Sequence, residues 1–133
     1  MEDKMDLRNA ENLLGALSNK KRLRLLKLLI NFDEEICVCE FEDALNLPQY
    51  TVSRHLNKLK ERNLVESRRE GTWAYYSLNS ELRLAEKGIV NWIDEFISEE
   101  ICEKDKQKME RRLSMREKGK CVTSNEEASG SNE

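Results

Sequence analysis

Hydrophobic residues recur at helical spacing from Leu7 to Leu59. After Asn63 they alternate instead, around Glu70-Gly71-Thr72. A change from a period of 3.6 to a period of 2 means that one type of element gives way to another. Just ahead of it, Asn46-Leu47-Pro48-Gln49 interrupts the helical stretch, because proline cannot continue a helix but suits the first turn of a new one. Few small folds place a helix, a tight break, a second helix and a hairpin in that order.

Around this kernel the pattern predicts a helix over 6–15, with Leu7, Leu13 and Leu14 at helical spacing, and a second over 16–31. The second is amphipathic, with Leu17, Leu23, Leu25, Leu26, Leu28, Leu29 and Ile30 on one broad face and bases on the other. Residues 36–45 read as a third helix, through Ile36, Phe41, Ala44 and Leu45, and 50–62 as a fourth, closed by Asn63 in a left-handed cap. Val65–Arg69 and Trp73–Leu78 form the hairpin, its Trp73, Tyr75 and Tyr76 expected in the hairpin core. Ser80 is a plausible N-cap for one long final helix through Leu82, Ala85, Ile89, Trp92 or Ile93, Phe96 and Ile101. Beyond about residue 105 apolar content falls, so the organisation expected is one domain over 1–104 and a polar, disordered tail over 105–133.

The chain has 133 residues, 38% hydrophobic and 37% charged, which allows only a modest core and favours burial against a partner subunit. No apolar run approaches the roughly 20 residues of a membrane span. Met1–Lys4 carries acids where a secretory signal would be basic and then apolar, so the expected location is the cytoplasm. There, four cysteines point to metal binding, redox sensing or burial rather than to a disulfide framework.

A net charge of −3 argues weakly against nucleic acid, but the distribution argues for it. Lys20, Lys21, Arg22, Arg24 and Lys27 stand without an acid between them, and Thr51–Tyr76 carries six bases and His55 against three acids. The acids gather in 33–43, in 94–103 and in the tail. Mainly α with a β-hairpin wing, the fold expected is a winged helix-turn-helix. Its recognition helix presents Gln49, Tyr50, Thr51, Ser53, Arg54, Asn57 and Lys58 to double-stranded DNA, while Val52, Leu56 and Leu59 pack inward. Gln and Arg make bidentate contacts to adenine and guanine edges, and hydroxyls serve phosphates or bases. Arg68, Arg69 and Thr72 are the wing's candidates for phosphate contact. His55, beside inward Leu56, reads as a hydrogen-bonded packing residue. One helix reads only a few base pairs, so a homodimer on two half-sites is expected. Trp92, Ile93, Phe96 and Ile97, with the Leu7–Leu14 helix, are assigned to its contact.

Ile36-Cys37-Val38-Cys39-Glu40-Phe41, then Leu45-Asn46-Leu47-Pro48-Gln49-Tyr50-Thr51-Val52-Ser53-Arg54-His55-Leu56, closely resemble the ArsR-type family of metal-sensing repressors. The likeness continues through Leu59–Val65 and Arg68–Leu78, and upstream Ala16–Leu26 is similar to the family's leading helix. The resemblance implies a homodimeric repressor that leaves its operator when a thiophilic ion binds. Two positions depart from it: Pro48 stands where serine is frequent, and Glu42 where arsenite-responsive members with Cys-Val-Cys commonly carry a third cysteine.

Cys37 and Cys39 stand two apart, which on a helix is a rotation of about 200°. Their sulfurs then diverge unless the turn unwinds on binding or is the helix's frayed first turn. Thiolate ligands alone select soft ions, whereas a carboxylate from Glu40 or Glu42 would tilt toward cadmium or zinc. Cys102, of the same or of the other subunit, is the preferred third thiolate, with Cys121 in the tail as bystander. The leading effector is As(III) or Sb(III). The alternatives are Cd(II), Pb(II), Zn(II) or thiol oxidation. A zinc site on the last helix would need histidines, and 91–102 has none. With no Gly-rich loop and no acid–base cluster, an enzyme is not expected.

Overall fold

A computed structural model describes residues 4–117 and 121. The element order is α1 (Leu7–Leu17), α2 (Lys20–Phe32), β1 (Ile36–Cys37), α3 (Val38–Leu45), α4 (Gln49–Glu61), β2 (Val65–Glu70), β3 (Trp73–Leu78), α5 (Leu84–Phe96) and α6 (Glu100–Leu113). Side-chain caps set the first two starts. The Asp6 carboxylate accepts the Asn9 N–H at 2.8 Å, and the Asn19 amide oxygen accepts the Arg22 N–H at 3.0 Å. Asp33, Asn46 and Asn63 end α2, α3 and the α4 turn in left-handed backbone, and Gly71 (φ 62°) makes the hairpin turn.

Leu25, Leu26, Leu28 and Leu29 of α2, Phe41 and Ala44 of α3, and Val52, Leu56 and Leu59 of α4 make the core. The hairpin lies against it, with β2 and β3 antiparallel and Val65 opposite Leu78. Tyr75 and Tyr76 are buried and Trp73 half-buried. His55 is buried as expected, its Nδ1 3.1 Å from Nη1 of Arg22, whose Nε donates to the Ala16 carbonyl.

Three differences from the sequence pattern follow from long-range packing. Ile36 and Cys37 are not the start of a helix but a short third strand on the far side of β3, with Ile36 opposite Tyr76 and Cys37 opposite Tyr75. The final helix is two helices, and its first cap is Arg83, not Ser80. Lys27 of α2 donates to the carbonyls of Ile93 and Asp94 (3.3 and 3.0 Å), satisfying the end of α5, and the chain leaves the helix at extended Ile97. A straight helix would carry Met109 about 24 Å past Ile93. The break brings both into one core.

The boundary expected at 104/105 is likewise absent, because α6 runs through it. Asp105 receives both Arg24 Nε and Nη2 at 2.9 Å, and Met109 is fully buried. The rest of the expected tail, 118–120 and 122–133, lies outside the described residues. Among those described, no helix is long and apolar enough to cross a membrane.

Candidate functional site

Left-handed Asn46 ends α3 and, after Leu47, Pro48 stands as the N-cap of α4, so α4 leaves the turn with Val52, Leu56 and Leu59 inward. Gln49, Tyr50, Arg54, Asn57 and Lys58 are exposed, Thr51 and Ser53 half-buried. Gln49, Ser53 and Asn57 face Arg68, Arg69 and Thr72 of the hairpin across a cleft of about 640 Å³. Two hydrogen bonds fix the wing to the helix: Lys60 Nζ to Ser67 Oγ, and Tyr76 hydroxyl to Asn57 Oδ1, each 2.8 Å. The Arg54 guanidinium lies 5.7 Å from the Tyr50 ring centroid. Lys58 sits on the α1 side of α4, near Glu61 and Arg62, away from the cleft. Arg68 donates to Glu35 (2.7 Å) and Glu70 (3.1 Å) and lies 4.7 Å over Tyr75, so contact with a phosphate requires it to exchange carboxylates.

At the root of this cleft, where β1 becomes α3, sit the paired cysteines. Cys37 is the N-cap of α3, in extended backbone, and Cys39 lies within the first turn. Their sulfurs therefore converge, 3.2 Å apart, with the helix intact. The divergence expected of two helical positions does not arise, because pairing with Tyr75 holds Cys37 outside the helix. The third thiol is Cys121, whose Sγ is 2.7 Å from that of Cys39, and all three lie within 4.8 Å of one another. Its backbone N–H donates to the Tyr75 hydroxyl at 3.2 Å. Cys102 is not in this cluster. It lies on α6, half-buried, where burial first and Asp105 second push its thiol pKa up.

Hydrogen bonds from Cys121 and then Cys39 hold the Cys37 thiol down at about 3. For Cys39 the contact with Cys121 favours the thiolate, but its bond to Cys37 and burial outweigh it and push it up to about 12. Cys121 is raised, chiefly by donating to Cys37 and Cys39. One negative charge thus rests on Cys37 among three sulfurs, with Arg112 Nη2 3.8 Å from Cys39.

Glu40 is wholly buried and accepts the Cys37 N–H at 2.8 Å, and Arg116 holds both its oxygens. It is therefore engaged and unlike the carboxylate ligand considered from sequence. Glu42 lines the cleft, its carboxyl raised by burial, then by Asp43 and Cys37. The sequence pattern favours Cys102 as the third thiolate, whereas the sulfur beside Cys37 and Cys39 is that of Cys121. One signal for it was present: Arg111, Arg112 and Arg116, shortly before Cys121, complement the acids of 33–43.

The profile of the family described as "Bacterial regulatory protein, arsR family" matches residues 19–67. An uncharacterized HTH-type transcriptional regulator of Methanocaldococcus jannaschii is 38% identical over 86 residues, covering 65% of this chain and 92% of that protein. The arsenical resistance operon repressor of Bacillus subtilis is 32% identical over 96 residues, 72% of this chain and 81% of that protein. The cadmium resistance transcriptional regulatory protein CadC of Listeria innocua is 33% identical over 84 residues, 62% and 69%. Among solved structures, reduced HlyU from Vibrio cholerae superposes with a TM-score of 0.58 at 30% identity, over 69% of this chain and 92% of that one. Its winged helix-turn-helix and these relatives, regulators and not enzymes, agree with one another: the chain belongs to the ArsR family of transcriptional repressors.

Proposed function

We propose that this chain is a homodimeric operator-binding repressor that releases DNA when trivalent arsenic or antimony is held by Cys37, Cys39 and Cys121. The observation that carries the reading is the convergence of three sulfurs, two buried and one half-buried, at the root of the cleft between recognition helix and wing. With Glu40 engaged by Arg116, the donor set is sulfur, which selects soft ions. Arsenous acid exchanges its three hydroxyls for the Cys37 thiolate and the Cys39 and Cys121 thiols, and with the two thiol protons and one from solvent three waters leave. A cadmium or lead response is the second reading, favoured by the relative named for cadmium resistance and by Glu42 lining the same cleft.

Coupling to DNA follows from where the ligands stand. Cys37 belongs to the sheet of the wing and Cys39 to α3, which leads through 46–48 into α4. Respacing the sulfurs around an ion moves the wing relative to the recognition helix, whose Gln49, Tyr50, Thr51, Ser53, Arg54, Asn57 and Lys58 serve DNA with Arg68, Arg69 and Thr72. DNA must then weaken ion binding by the same factor. Exposed Leu7, Leu14, Trp92 and Phe96, flanking an apolar groove between α1 and α5, supply the dimer contact that brings two recognition helices to two half-sites. Ile93, first assigned to that contact, is buried in the chain's own core.

The test is a gel shift on the chain's own upstream DNA, with arsenite titrated against wild type, Cys39→Ser, Cys121→Ser and Cys102→Ser. The first two variants should hold DNA at arsenite concentrations that release wild type, and Cys102→Ser should release normally. Release of Cys39→Ser at unchanged arsenite overturns the reading.

A further inference from the structure

We infer that Arg116, clamped on the buried carboxylate of Glu40, is the positioning residue that delivers Cys121 to the Cys37–Cys39 pair and makes the site one of three thiolates rather than two. The inference rests on the proposed ion site and adds how its third ligand is held.

Arg116 gives Nε to Glu40 Oε2 at 2.8 Å and Nη2 to Glu40 Oε1 at 2.7 Å, a bidentate pair with a carboxylate that has no solvent exposure. The same guanidinium donates to the Glu35 carbonyl at 2.6 Å and to Glu34 at 3.2 Å. These acceptors belong to the stretch that leads into α3. Glu40 Oε1 also accepts the backbone N–H of Cys37, the reach-back of a capping box. One carboxylate therefore fixes the backbone of the first ligand and anchors the limb that carries the third.

The limb is short. Five steps from Arg116 to Cys121 span at most about 18 Å, so an anchored Arg116 confines the thiol near the pair. One turn earlier, Arg112 donates to Asp43 of α3 at 2.6 Å and lies beside the Cys39 sulfur. If Arg112 alone held the limb, the free loop would be nine steps instead of five, a dilution of only about twofold by chain statistics. Loop length is thus the smaller effect. Orientation is the larger one, because partners of this kind, which aim a ligand without touching the ion, typically change metal affinity by about 10- to 100-fold.

The experiment loads the full-length protein with arsenite, alkylates it, and identifies blocked cysteines by mass spectrometry, alongside an arsenite titration. Wild type should protect Cys37, Cys39 and Cys121 and leave Cys102 reactive. In Arg116→Gln, Cys37 and Cys39 should stay protected while Cys121 becomes alkylated, and affinity should fall about 10- to 100-fold. Protection of Cys121 in Arg116→Gln at wild-type affinity overturns the inference. Reactive Cys121 in loaded wild type overturns the three-thiolate site itself, a distinguishable result. Should the single variant fail to bind operator without arsenite, the pair Glu40→Gln/Arg116→Gln, which buries no lone charge, takes its place with the same expected outcomes.

Discussion

Cys37 faces Tyr75 across the β1–β3 ladder, and the hydroxyl of the same tyrosine accepts the backbone N–H of Cys121. One residue of the wing thus holds two of the three thiol-bearing positions. Tyr75→Phe removes that acceptor and keeps the ring under Arg68. The expected loss in arsenite affinity is about three- to tenfold, the scale of one net hydrogen bond. Titration of the variant, with operator affinity as the control, checks it.

Proton exchange should separate the two effector readings. Between pH 6 and 8, Cys37 is ionised, whereas Cys39, pushed up to about 12, and Cys121 hold their protons. Arsenous acid binding to one thiolate and two thiols takes up one proton, so its affinity should fall about tenfold per pH unit as pH rises. Cadmium displaces two protons, so its affinity should rise, by about a hundredfold per unit. Calorimetry in buffers of different ionisation enthalpy reads both counts.

His55 should make stability sensitive to mild acid. Burial first, then Arg22, Arg54 and Lys21, hold its imidazole below the ordinary value. The unfolded chain then takes up a proton near pH 6.5 that the native state refuses, so stability is lost as pH falls through that value. The urea midpoint should drop from pH 7.5 to 5.5 in wild type and drop less in His55→Gln.

Asp105 tests where the folded unit ends. Asp105→Ala leaves Arg24, half-buried, without its bidentate partner. The expected cost is on the order of 2 kcal/mol, less than for a fully buried pair because Arg24 keeps some water. Chemical denaturation measures it, and an unchanged midpoint would mean that the Arg24–Asp105 pair contributes nothing to the fold.

Phe96 tests the paired state. It is exposed beside Trp92, with ring centroids 6.0 Å apart. Phe96→Glu places a charge on that apolar face and should yield monomers by sedimentation, with operator binding lost at concentrations where wild type saturates.

Much of the architecture was written in near neighbours along the chain. Pro48 and Asn46 set the break, Asn63 the end of α4, and Gly71 the hairpin turn, since backbone preferences act within a few residues. The faces of α2 and α4 followed from helical spacing, and burial of His55 from its neighbour Leu56. What only tertiary structure decided was which segments meet. Pairing of Cys37 with Tyr75 turned the expected first helical turn into a strand. Lys27 beneath the end of α5 split one helix into two, and the docking of α6 left Cys102 outside the cluster of sulfurs that Cys121 joins. Cys39 and Cys121 are 82 positions apart. No local preference encodes such a contact, because it forms only once the core has fixed the path of everything between.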